Sequence, residues 1–286
     1  MMPWVLRLAW VAVLVLGDSA IAAAADQRSA LVQAVAEYGA GMIWLLGVGA
    51  MAIPAVTSLT ATRVLVPLSI PAACLALVFG ADQTEGWAFA GVAVLATIVA
   101  LSGELGRPFV QASAYGEEDR HLLRPPAGYA AASVLAWLLW AAAVFGGSLL
   151  LAARQWIVGG TLSLVAVIGA AMLWPRWHRL SRRWLVIVPA GLVIHDQLVL
   201  AETVMLRRTE IASLHLAPAA TTAADLTGPA GGHAIEIVTH ESVTAILAGN
   251  PKQPRDTAIH LTACLISPSR PGQALQGAIA RRLPVA

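Results

Sequence analysis

Charge is what this sequence has least of. Only 12% of its 286 residues are Asp, Glu, Lys or Arg, about half the ~25% of an ordinary soluble domain. A soluble globule of this length is therefore excluded for most of the chain. Lysine is almost missing: Lys252 is the only one, against 17 arginines. That bias, together with abundant alanine, reads as a GC-rich bacterial genome and carries no mechanism. The two cysteines, Cys74 and Cys264, fall in different halves of the chain, one in an apolar run and one in the polar tail. They offer neither a disulfide framework nor a metal-type spacing. A formal net charge of +2 is too small to argue for nucleic acid.

The charges that exist are unevenly spread. Residues 1–174 carry seven arginines and nine acids, while the shorter stretch 175–286 carries ten arginines, one lysine and seven acids. Charge density nearly doubles at that point, dividing a membrane part, residues 1–175, from a water-facing part, residues 176–286. A bilayer core of about 30 Å needs about 20 mostly apolar residues per helix. Five runs without a charge come close to or meet that length: 38–56, 64–81, 87–102, 128–152 and 156–174. The stretch 8–25 follows Arg7, carries Asp18 and ends in alanines. It reads either as a first transmembrane helix or as a cleaved signal peptide, so the helical part has six spans or five.

Basic loops stay on the cytoplasmic side. With six spans and both ends inside, the inner segments hold Arg7, Arg63, Arg107, Arg120, Arg124, Arg176, Arg179, Arg182 and Arg183. The outer segments hold only Arg28 and Arg154. The expectation is a multi-pass protein of a bacterial plasma membrane, N-in and C-in. Glycines such as Gly47 and Gly49 mark faces where helix backbones pack closely in lipid. Pro54, Pro67 and Pro71 predict kinks, with a broken helix lining a substrate path as the alternative.

Beyond residue 182 the periodicity shortens to that of strands. Runs at 184–188 and 191–195 flank Pro189-Ala190 as a hairpin, and 197–201 is another candidate strand. Residues 211–216, 234–238, 243–247 and 258–266 supply further strands, with 219–232 a Gly-rich loop. Ile259, Leu261, Ala263 and Leu265 are expected on one face of the last strand, with Cys264 on the other. A terminal helix then carries Leu275, Ala278, Ile279 and Leu283 on one stripe. Between the fourth and fifth spans, residues 117–124 place acids ahead of bases and predict a short helix with local ion pairs, with a docking or gating element as the alternative.

The run Arg182-Arg-Trp-Leu-Val-Ile-Val-Pro-Ala-Gly-Leu-Val-Ile-His-Asp196, followed by Arg207-Arg-Thr-Glu-Ile-Ala-Ser-Leu214, resembles bacterial pleckstrin-homology-like (PH-like) domains attached to membrane proteins. The resemblance covers about a third of the chain and rests on strand order. About seven short strands and a terminal helix fit a small β-barrel or sandwich, and the resemblance implies the cytoplasmic all-β PH-like barrel with a terminal helix, acting as a non-enzymatic scaffold.

Motifs that carry chemistry are few. No Gly-x-Ser-x-Gly or Walker pattern occurs; His240-Glu241 lacks the second histidine of a zinc motif, and Gly47-x-Gly49-x-x-Ala52 lies inside an apolar span. No catalytic, cofactor-binding or metal-binding residue is therefore expected, and no cofactor. Two places stand out. Asp18 is an intramembrane acid, costly at about 2.5–3.5 kcal/mol at a helix centre and so a functional candidate. The stretch 174–184 forms a membrane-interface collar of Trp174, Arg176, Trp177, Arg179, Arg182, Arg183 and Trp184, whose arginines suit anionic headgroups of the inner leaflet. The expected function is assembly with a membrane or cytoplasmic protein partner. The competing reading is a small transporter or channel subunit regulated by its β-domain.

Overall fold

Six helices among the residues described are long and apolar enough to cross a bilayer, and the chain is a multi-pass membrane protein. The computed structural model describes residues 1–249 and 256–286, so Lys252, expected in a Pro-flanked turn, lies outside the described residues. The spans are α1 (Met2–Ala25), α2 (Ala30–Ala52), a composite third span (Val56–Val78), α5 (Gln83–Leu101), α7 (Ala127–Ala152) and α8 (Trp156–Ser181). A shorter helix, α6 (Gly103–Gln111), follows the fourth span.

The third span is α3 (Val56–Leu65) and α4 (Ser69–Val78) joined by a 3-10 turn at Val66–Leu68. Pro67 causes the break, because it has no N–H to give to the preceding turn. Freed carbonyls are costly where no water reaches them. Here Ser69 Oγ donates to Val66 O at 2.7 Å, and the Trp137 indole N–H of α7 donates to Val64 O at 3.0 Å. At the start of α5 an Asp82 side chain accepts the Thr84 and Glu85 N–H groups, an ordinary N-cap. Of the charges expected outside the spans, Arg63 and Glu37 lie two turns inside them. Arg63 sits in α3, its Nε buried without a hydrogen-bond partner, and Glu37 sits in α2, which begins eight residues earlier than expected.

By its contacts the chain forms two units, Met1–Gly106 with Ser133–Arg176, and Arg107–Ala132 with Trp177–Ala286. The second is the β unit, and it is discontinuous. Its first sheet has the order β1-β2-β3-β4, from β1 (Asp119–Leu122), β2 (Arg183–Val188), β3 (Gly191–Asp196) and β4 (Val204–Arg207). Its second has the order β5-β7-β8-β6, from β5 (Ile211–Leu216), β6 (Ala224–Asp225), β7 (Ile235–Leu247) and β8 (Thr257–Ile266). Among the described residues the strands make two four-stranded sheets rather than the closed barrel that the resemblance implies. The core between them includes Leu185, Ile187, Ile194, Leu206, Ile237 and Ile266.

The segment predicted as a short helix is strand β1. It pairs antiparallel with β2, Asp119 opposite Ile187 and Leu122 opposite Trp184, because a ladder partner outweighs the weak local ion pairs of a helix. Its outer edge is covered by one side chain. Gln111 Oε1 accepts the Arg120 N–H at 2.9 Å and Gln111 Nε2 donates to Glu118 O at 2.7 Å. The Gly191 turn starts β3 at φ +149°, where a Cβ would strike the Leu206 carbonyl.

Three further expectations are corrected. Residues 197–201 form a turn, because Asp196 Oδ1 accepts the Leu198 N–H at 3.1 Å and folds the chain back. The two runs 234–238 and 243–247 are one strand, β7, with an irregularity between Val238 and Val243. Across that irregularity the buried face of β8 changes phase, so Leu261, Cys264 and Ile266 all enter the core, as a bulge demands. On the expected stripe of α9 (Pro271–Ala280) and the turn after it, Ala278 and Leu283 are in the core and Leu275 packs against it, but Ile279 is exposed and Ala274 is buried in its stead.

Candidate functional site

In the membrane unit, α1 and α2 are clamped at one end. The Trp10 indole N–H donates to Trp44 O at 3.0 Å, and the Trp44 indole N–H donates back to Trp10 O at 2.8 Å. Arg7 Nη2 donates to Met51 O at 3.1 Å. Gly47 lets the helices approach: a Cβ there would lie 2.7 Å from the Trp10 ring. The glycine pattern at 47–49 is therefore a packing face at Gly47, whereas a Cβ at Gly49 would meet open space.

From the clamp outward the helices line a half-open cavity of about 810 Å³, within the usual size of a small-molecule site. It runs from Arg28 and Ser29 in the α1–α2 turn to Trp10 and Trp44, about 20 Å along α2 at 1.5 Å per residue. Leu68 and Ser69, at the break in the third span, form part of its wall, and α7 contributes Phe145 and Ser148.

Asp18 lines this cavity, and so does Glu37. Each lies seven residues from the α1–α2 turn, hence at a similar depth of about 10 Å. Arg28 stands at the mouth with its guanidinium 5.0 Å from the Phe79 ring centre. Sequence reasoning found Asp18 and missed the other two, because it ended the second span at its last charge. The apolar stripe Val32, Val35, Ala36, Gly39, Ala40 and Ile43 lines the cavity, and Glu37 lies at its flank.

The expected collar divides. Trp174, Arg176 and Arg179 are exposed, and Arg176 donates to Met172 O one turn earlier. Trp177 is buried and Arg182 half-buried. Arg183 is fully buried, which removes it from any lipid-facing collar. Its Nε and Nη2 donate to the two Asp196 carboxylate oxygens at 2.7 and 2.6 Å, and its Nη1 donates to Arg124 O at 2.6 Å. A bidentate pair with further acceptors is how a buried charge is made tolerable. Trp184, the last collar residue, is half-buried in the β unit. It stacks on His195 with ring centres 5.1 Å apart, and Arg120 lies 5.3 Å from its ring on β1.

Near α9, Arg107 bonds both Asp119 and Gln273, at 3.2 Å each, and His121 Nε2 lies 3.1 Å from Asp119 Oδ2. Burial holds the His121 imidazole below its ordinary pKa against the pull of Asp119. His195 is also lowered, by burial and then by Arg182. Burial, aided by Glu236, pushes the Cys264 thiol up to about 12, which makes it a core residue and not a nucleophile. Among the described residues no group of three or more His, Cys, Asp or Glu is placed to hold a metal ion. No family model matches the chain, and no curated protein or solved structure matches it.

Proposed function

We propose that the chain is an integral protein of a bacterial plasma membrane, N-in and C-in, whose β unit is a PH-like scaffold for a protein partner rather than an enzyme. The discontinuity of that unit carries the reading. Two four-stranded sheets, antiparallel except where β6 joins β8, share one core with a terminal helix, which supports a small β unit with a helix though not the closed barrel the PH-like resemblance implies. The loop between the fourth and fifth spans supplies β1, so a partner held by the β unit is coupled to the membrane spans through the chain at 106–107, 132–133 and 176–177. One edge of each sheet is occupied, β1 by Gln111 and β5 by Pro284 and Ala286, which disfavours strand addition at those two edges. Orientation is supported by Arg7, Arg107, Arg120, Arg124 and the arginines from 176 onward, against Arg28 and Arg154.

The test is capture of partners from native membranes by the tagged full chain. The comparison is a chain with residues 177–286 removed and 107–132 replaced by a flexible linker. A partner enriched by the full chain and lost with the deletion supports the scaffold. Identical capture by both chains refutes it. A second reading, a small transporter or channel subunit regulated by the β unit, is favoured by the cavity beside the broken third span.

A further inference from the structure

The polar groups of the membrane cavity are of unequal sign. Asp18 and Glu37 lie at matched depth on antiparallel helices, and neither makes an ion pair or side-chain hydrogen bond among the described residues. An ionised carboxyl held at membrane depth is unfavourable unless a cation reaches it. The one basic side chain on the cavity is Arg28, up in the α1–α2 turn, and its guanidinium is placed over Phe79.

The walls add a second attraction for positive charge. Trp10, Trp44, Phe79, Phe89 and Phe145 all line the cavity. Aromatic faces attract cations through the ring quadrupole, most strongly where water is excluded, and such rings recognise organic ammonium groups. Arg28 over Phe79 is a cation already seated on one of these rings. A small inorganic ion would leave most of the apolar volume unfilled, and an anionic amphiphile would meet two acids for one base.

We propose that the cavity bounded by α1, α2, α4 and α7 binds an organic cation with an apolar body, of the lipophilic ammonium or phosphonium class. The cationic centre sits between Asp18 and Glu37, and the apolar body packs against the aromatic and aliphatic walls towards Trp10 and Trp44. This site does not depend on the scaffold role of the β unit, and a chain without a protein partner binds equally.

The experiment uses the full chain in detergent micelles and two ions of nearly the same shape and opposite charge, tetraphenylphosphonium and tetraphenylborate. Equilibrium dialysis with empty micelles as the blank measures saturable binding of each. Tetraphenylphosphonium is expected to bind saturably at about one per chain, at least about tenfold tighter than tetraphenylborate. Asp18→Asn and Glu37→Gln are each expected to weaken the cation about fivefold or more, and the double variant to lose the cation preference. Equal or tighter binding of tetraphenylborate by the unmodified chain overturns the proposal, and that comparison needs no variant to fold. A full cation preference in the double variant overturns it as well.

Discussion

Replacing Arg183 by Met should open the β unit more than any other single change in its first sheet. The side chain is fully buried and bonds both oxygens of Asp196, itself 2% exposed. It also serves the carbonyl of Arg124 at 2.6 Å and that of Thr227 at 3.5 Å. Its removal leaves a buried carboxylate with the Leu198 N–H as its remaining donor. Breaking a buried pair from one side costs about 3–5 kcal/mol, which accelerates exchange through opening by roughly 10² to 10³·⁵. Amide hydrogen exchange of β2 and β3 peptides in the full chain reads this directly. Combining Arg183→Met with Asp196→Leu removes both charges, and such double replacements are often neutral. Here the Arg124 and Thr227 carbonyls stay unserved, at about 1 kcal/mol each, so the double variant should recover most of the loss but not all. Exchange within threefold of the unmodified chain in Arg183→Met would refute the reasoning, and so would a double variant less stable than the single.

Three other outcomes follow from the geometry. His121 titrates below its ordinary range in the folded chain because of burial, so the unfolded chain takes up the proton first as pH falls. The β unit is then at full stability above about pH 6.5 and loses it as pH drops towards the folded value; His121→Gln should flatten the melting temperature between pH 7 and 5, and an unchanged slope contradicts the assignment. Gly191→Ala should destabilise β3 by about 1–3 kcal/mol or more, because φ +149° admits no side chain easily and Leu206 O occupies the space; a melting temperature within 1–2 °C of the unmodified chain would argue against that turn. In a chain whose exposed Cys74 is replaced by Ser, the Cys264 thiol, pushed up to about 12, should resist maleimide at pH 8 until the β unit is unfolded; rapid labelling of that folded chain contradicts its place in the core.

The spans were legible because lipid demands long apolar runs, and five of the six needed nothing but counting. Their ends were less legible. Runs were closed at the nearest charge, so Glu37 and Arg63 were left outside, whereas α2 and α3 carry both inward. The hairpin of β2 and β3 was visible from two short apolar runs joined by Pro189-Ala190. Strand β1 was not. Four residues, Asp-Arg-His-Leu, carry no strand signal of their own, and they pair with β2, whose first residue lies 61 positions after the last of β1. Arg183 misled for a related reason: beside Arg182 and Trp184 it looks like one more interfacial base, and only its partner on β3 shows that it is a buried structural charge. Asp18 was identifiable as a lone acid in an apolar run, but the cavity that gives it company depends on how five helices pack.

The claim on which the rest stands is that the loop between the fourth and fifth spans is part of the β unit. Arg120 and Val186 are opposite one another across β1 and β2, and such antiparallel partners lie within disulfide reach. Arg120→Cys with Val186→Cys is introduced into a chain whose exposed Cys74 is replaced by Ser, with a protease site inserted in the tight turn after Ala152. After mild oxidation and cleavage, the two halves should run as one band without reductant and separate with it. Halves that separate without reductant, in a chain whose other properties are intact, would contradict the account.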